Sequence, residues 1–308
     1  MKTSILFVLA LAGFKVAAQG ILFEKKTLEE MKASKSAYVR GDHRFPLGEV
    51  VGSRLMFRLI DNGFKAIVIE IPAQMQSAQH SELYYGMARP GAQQQLGTFV
   101  KQAQSSAQAV TFKLVLNSPE KKFLGPVTPR DAEQFYEMYR QFVSGYAKLA
   151  QRVNVEEIVL GSNLESFVCS HPELVVRLFK NLTRVYTGRV RFDSSTLDGA
   201  IAAKACAEKA GLSFDGYGVD LRDPELSEPN AVLNVGFQIS YLGFTGDQQT
   251  QFNKLTTVLN SLKVPSSPWG MTLSHFSTDP ILQGPFDTSD SLLGKTSEEA
   301  VRKWLNSF

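Results

Sequence analysis

Cysteine is scarce, with two residues in a chain of 308, and that excludes a small scaffold stapled by disulfides. Charge of either sign is not in excess, since the formal net charge is only +3, so composition offers no electrostatic case for nucleic acid. The short clusters Lys25-Lys26 and Lys121-Lys122 read as solvated surface. The sequence has no phosphate loop, no H-E-x-x-H, no C-x-x-C, no G-x-S-x-G and no G-x-G-x-x-G, which removes the common signatures of nucleotide, zinc, redox and serine-hydrolase chemistry. His43, His80, His171 and His275 have no metal-ligand spacing, and neither a metal nor a cofactor is expected. Trp269 and Trp304 are the only tryptophans. Trp304 reads as core, and Trp269, beside the start of a late strand, is a candidate for either core or ligand contact.

Long apolar runs are missing too, except at the start. Ile5 to Phe14 follows the basic opening Met1-Lys2-Thr3-Ser4 and precedes the small residues Val16-Ala17-Ala18. The run is too short to cross a bilayer, which takes about 20 residues, and this order of features is that of a cleaved signal peptide. Residues 1–18 are therefore expected to be a leader and 19–308 the mature, secreted chain, with Gln19 first and no membrane insertion. Loss of Lys2 and Lys15 with the leader brings the mature chain close to neutrality. An oxidising compartment makes Cys169 and Cys206 candidates for a disulfide closing a loop of about 36 residues, two buried thiols being the alternative. Asn181-Leu182-Thr183 is a glycosylation sequon in an expected helix.

What the sequence does have is apolar content, 44% of residues against 20% charged, enough for a sizeable core. From about residue 50, short β-rich runs alternate with amphipathic stretches. Helix over 53–62 is stopped by Gly63, and strand over 65–71 by Pro72. Helix 93–105 and strand 110–116 follow. Thr128 as N-cap and Pro129 at the first position open a long helix, along which Phe135, Met138, Phe142, Tyr146 and Leu149 recur, ending near Asn154. Strand 157–160 is next. Ser170 and Pro172 open a helix with Leu174, Leu178, Leu182 and Val185 inward and Gly188 at its stop. Then come strand 189–192, helix 200–210 before Gly211, strand 214–219, a further strand over 231–239, helix 248–262, strand 270–276 and helix 297–308. Seven or eight βα units with no linker between them predict an α/β fold, a single-domain (β/α)8 TIM barrel. A doubly wound open sheet is the alternative, and it lacks its glycine fingerprint.

Three stretches carry a family likeness: Phe112-Lys113-Leu114-Val115-Leu116-Asn117-Ser118, the helix and strand from Asp131 to Phe167, and Leu174 to Ser195. They resemble the family 113 glycoside hydrolases of the large retaining (β/α)8 clan. That family has a strand reading lysine-proline-histidine, an aromatic-rich helix, a strand ending G-T-E-L, and a helix closing on an arginine, an aromatic and a glycine. The resemblance implies two glutamates at strand ends, an acid/base in G-T-E-L and a nucleophile in a late-strand E-x-G-Y, with carboxyls about 5–5.5 Å apart.

At these positions the sequence departs from the pattern. Gly161-Ser162-Asn163-Leu164 puts Asn163 where the acid/base stands, and an amide cannot give up a proton near neutral pH. The late strand over 270–276 has no carboxylate, and Val115 stands near the family histidine. Glu165, two residues past Asn163, is the candidate acid if activity survives. It would reach the mouth on a continued strand, with Glu70, Asp193, Asp220 or Asp279 as partner. The resemblance thus implies a secreted, non-hydrolytic barrel that binds glycan through Asn163, Glu165, Asn117, Ser162, Ser194, Ser195 and Trp269, in an extracellular matrix or recognition role. The alternatives are an active hydrolase of β-linked, mannan-like glycans with relocated carboxylates, and a purely structural secreted protein.

Overall fold

The computed structural model describes residues 39–44, 57–64, 66–85, 91–106, 108–118, 125–161, 163–262, 271–273, 292 and 294–305. The leader, Ser162, Trp269, His275 and Asp279 lie outside the described residues.

Eight parallel strands follow one another around the sheet: β1 (Val39–Arg44), β2 (Ala66–Gln74), β4 (Ala109–Asn117), β5 (Glu157–Gly161), β6 (Arg189–Ser194), β7 (Gly216–Arg222), β8 (Gln238–Gly243) and β9 (Met271–Leu273). The two-residue β3 (Tyr84–Tyr85) pairs antiparallel with the end of β2. β1 pairs with β2 through Arg40↔Ala66 to Arg44↔Glu70 and with β9 through Val39↔Met271 to Gly41↔Leu273, so the sheet closes on itself. This is the single-domain (β/α)8 barrel that the βα rhythm predicts. The helices are α1 (Ala92–Ser105), α2 (Ala132–Arg152), α3 (Glu165–Ser170), α4 (Pro172–Thr183), α5 (Leu197–Lys209), α6 (Glu228–Asn234), α7 (Gln248–Ser261) and α8 (Thr296–Leu305).

Strand alternation divides the core in two. Val110, Phe112, Leu114 and Leu116 of β4, Ile158 and Leu160 of β5, and Val190 and Phe192 of β6 belong to the apolar cluster shared with the helices. Against them pack Phe135, Tyr139, Phe142, Val143, Tyr146 and Leu149 of α2, buried at helical spacing. The intervening residues face the barrel axis, and many of them are polar: Thr111, Lys113, Glu157, Arg191, Asp193, Asp220 and Ser240 are all buried.

Several boundaries differ from the sequence reading. β2 runs through Pro72, which pairs with Val115 of β4 and lies between Glu70, the last residue with a described partner on β1, and Ala73, the first paired with β3, a gap where a missing donor is tolerated. The cap of α2 is Asp131, whose carboxylate accepts from the Gln134 N–H at 2.9 Å, while Thr128 and Arg130 donate their N–H groups to Ala78 and Gln79. Residues 231–234 are helical, not a strand, because Pro229 starts a helix there, and Gly236 at φ 78° turns the chain into β8. Gly188 caps nothing; a Cβ there would stand 2.9 Å from the Glu156 carbonyl oxygen and closer still to the Tyr186 ring.

Candidate functional site

The mouth at the strand C-termini is shaped first by Gly161. It ends β5 at φ 103°, and a Cβ there would lie 2.4 Å from the Asp193 carbonyl oxygen, so a side chain is excluded on both counts. The chain then turns, and the Asn163 carbonyl accepts from the Val127 N–H at 2.7 Å. The Asn163 side chain is 1% exposed, and neither its Nδ2 nor its Oδ1 has a hydrogen-bond partner among the described residues. A buried amide in that state forfeits about 1–3 kcal/mol per unsatisfied group unless something else fills its valences.

Glu165 is not on a continued strand. It is the first residue of α3, a helix separate from α4. It is nevertheless buried, 9% exposed, with Oε1 accepting from the Ser195 hydroxyl at 3.3 Å and Oε2 without a partner among the described residues. Burial, with a smaller contribution from the negative charge of Asp220, pushes this carboxyl above the usual glutamate range despite the bonds from its own N–H and from Ser195.

Beneath the mouth runs a chain of ion pairs. Lys113 on β4 reaches Asp220 on β7 with its Nζ 2.5 Å from Oδ1, and Asp193 on β6 at 3.4 Å. β4 and β7 are separated in the sheet by β5 and β6, so this contact can only cross the barrel interior. Arg191 pairs with Asp193 at 3.0 Å and with Glu157 at 3.4 Å, and Arg189 reaches Glu157 at 3.3 Å. The Ser240 hydroxyl donates to Asp193 at 2.7 Å. Burial alone would lower the Lys113 ammonium, but Asp220, Asp193 and Glu70 outweigh it and hold the group above its ordinary value. The sequence reading noted Glu70, Asp193 and Asp220 near strand ends and missed Lys113 and Arg191. The available signal was a charged residue at alternate positions in otherwise apolar strands, as in Phe112-Lys113-Leu114 and Val190-Arg191-Phe192.

The other predicted residues fall as follows. Asn117 ends β4, half-buried, in register with Lys113 and so on the axial face. Ser194 follows the inward Asp193 and faces the helices: its Oγ accepts from the Thr196 N–H at 3.4 Å and lies where a Cβ on Gly199 of α5 would be. It is not brought to Asn163. Cys169 of α3 and Cys206 of α5 are joined in a disulfide, and the described residues contain no free cysteine. Asn181 on α4 donates from Nδ2 to the Tyr136 hydroxyl of α2 at 3.1 Å, a bond that attachment of a glycan would have to displace. No cluster of metal-ligating side chains occurs among the described residues.

β8 ends Tyr241-Leu242-Gly243, followed by Phe244. Tyr241 is buried, and the Arg222 guanidinium lies 4.4 Å from its ring centroid.

No protein-family profile matches the chain, and no curated protein does. Solved structures do. A GH113 β-1,4-mannanase superposes with a TM-score of 0.72 at 14% identity, covering 89% of this chain and 100% of its own. The GH113 β-mannanase AaManA of Alicyclobacillus acidocaldarius, solved in complex with ManMIm, gives 0.73 at 14% identity over 88% and 98%. The fold is that of the glycoside-hydrolase barrels. A fungal β-1,4-galactanase structure shares it more distantly, with a TM-score of 0.59 at 12% identity over 87% of this chain. At such identities the likeness establishes the glycoside-hydrolase-like barrel, and function has to be argued from the site.

Proposed function

We propose that this chain is a secreted glycoside-hydrolase-like barrel that binds glycan at the strand C-termini without hydrolysing it, as an extracellular matrix or recognition component. One observation carries the reading: Asn163, the residue matching the acid/base of the resembled family, is a fully buried amide whose two polar atoms have no partner among the described residues. Glycoside cleavage by this clan's route needs one carboxylic acid to protonate the leaving oxygen and a second carboxylate to attack. An amide does neither, and the late stretch 270–276 supplies no carboxylate in the second place. An amide can still donate to and accept from sugar hydroxyls. The apolar run and small-residue site at the N-terminus support secretion with Gln19 as the first mature residue.

The test uses chain recovered from the medium of a secreting host, its N-terminus sequenced, then incubated with β-1,4-mannan and β-1,4-galactan. Retention on one of the polymers with no new reducing ends is the expected result, with Asn163→Ala retaining less. Retention of neither polymer returns the chain to a structural role.

A second reading is favoured by the raised carboxyl of Glu165, the state a general acid needs. Under it the barrel is an active hydrolase with relocated acids, Asp220 being the facing carboxylate. New reducing ends that vanish in both Glu165→Gln and Asp220→Asn would establish it in place of the first.

A further inference from the structure

We propose that Glu165 recognises the glycan as a neutral carboxylic acid, donating its proton from Oε2 to an acceptor oxygen of the sugar, with the Asn163 amide as the second polar contact. This rests on the glycan-binding reading and assigns that site its chemistry: a neutral carbohydrate presenting an acceptor oxygen to a protonated acid.

The surroundings of Glu165 suit the protonated form. An ionised carboxylate accepts only, and has room for about four hydrogen bonds across its two oxygens. Here Oε1 has one long bond from Ser195, at 3.3 Å, and Oε2 has none among the described residues. Among the described residues, the one charge that acts on this carboxyl is negative. From α5, Gly199 approaches the stem, where a Cβ would be 3.4 Å from the Glu165 Cγ. From the end of β6 comes the Ser195 hydroxyl, and from α3 the residue's own N–H. The titratable group whose charge reaches it is Asp220 on β7, which is negative and already engaged by Lys113 of β4. A proton on Glu165 removes the repulsion and turns an unpartnered buried acceptor into a donor. Asn163 stands two residues earlier with an unpartnered donor and acceptor of its own. Together they offer what a sugar edge of alternating hydroxyls and ether oxygens requires.

Ionisation of Glu165 would remove the donor and add a second negative charge near Asp220, so affinity should fall as pH rises. Titration calorimetry of the full mature chain with mannohexaose and with β-1,4-galacto-oligosaccharide, from the acid edge of the carboxylate range to mildly alkaline buffer, reads this directly. The wild type should weaken about tenfold across the series, the loss of one buried hydrogen bond. Glu165→Gln, which keeps a donor at every pH, should show a flat profile and exceed the wild type in alkaline buffer. Asn163→Ala should bind more weakly throughout with the wild-type slope.

Thermal unfolding without ligand gives a separate readout. A carboxyl raised in the fold contributes stability that is complete below the ordinary glutamate range and lost as pH rises through the raised value. Glu165→Gln should therefore gain on the wild type as pH increases. Glycan binding with the same pH profile in the wild type and Glu165→Gln, or a thermal difference independent of pH, would overturn the acid role and leave the glycan reading standing. Failure to bind either oligosaccharide at any pH would overturn both.

Discussion

With its Nζ between Asp220 and Asp193, Lys113 shares one positive charge between two buried carboxylates. Removing one member of such a group is costly because the others keep their charge without the compensating attraction. Lys113→Met, similar in length and apolar, should lower stability by about 3–5 kcal/mol, read as a fall in the urea midpoint at neutral pH. Asp193 is the better insulated of the two, since Arg191 and Ser240 also bind it. The crowding around it is visible at Gly218, where a Cβ would stand 2.5 Å from the Asp193 Oδ1.

Among the elements, α3 is the short one with the most to do. It has six residues, starts with Glu165 and ends just after Cys169, which ties it to α5. A helix this short has little stability of its own, and its position depends on Phe167 and Val168 in the core and on the disulfide. Replacing both cysteines with serine should cost about 3–4 kcal/mol in the chain-entropy account. Dithiothreitol should produce the same drop in melting temperature in the wild type and none in the double variant. Much of this level was legible in the sequence. The aromatic repeat of α2 and the leucine repeat of α4 mark their buried faces because a helix buries one stripe. One boundary error comes from the use of proline as a stop signal. Pro72 lies within β2, between the described pairings of that strand with β1 and with β3, and continues it. Whether a proline breaks an element depends on which backbone N–H groups its partners require, and the sequence does not show partners. The separation of α3 from α4 was hidden for the same reason. Glu165 sits at a helix start, and the turn that puts it there is fixed by Gly161 packing on β6.

At the scale of the molecule, closure decides. β1 is the element that pairs with both β2 and β9, so removing it opens two edges at once and exposes the ionic interior to water. Deletion through Arg44 should leave no cooperative thermal transition by circular dichroism, where the chain with β1 intact should show one. The barrel itself was readable from the βα rhythm and from the likeness in its middle third. The site was readable only in part. Asn163 follows from a linear motif, whereas the convergence of Lys113, Asp193 and Asp220 depends on curvature that brings β4, β6 and β7 around one axis. The covalent tie between α3 and α5 also governs what proteolysis does to this chain. A protease that nicks the surface between Cys169 and Cys206, for instance after the exposed Arg184, yields two fragments that still travel as one species until a thiol reaches the bridge.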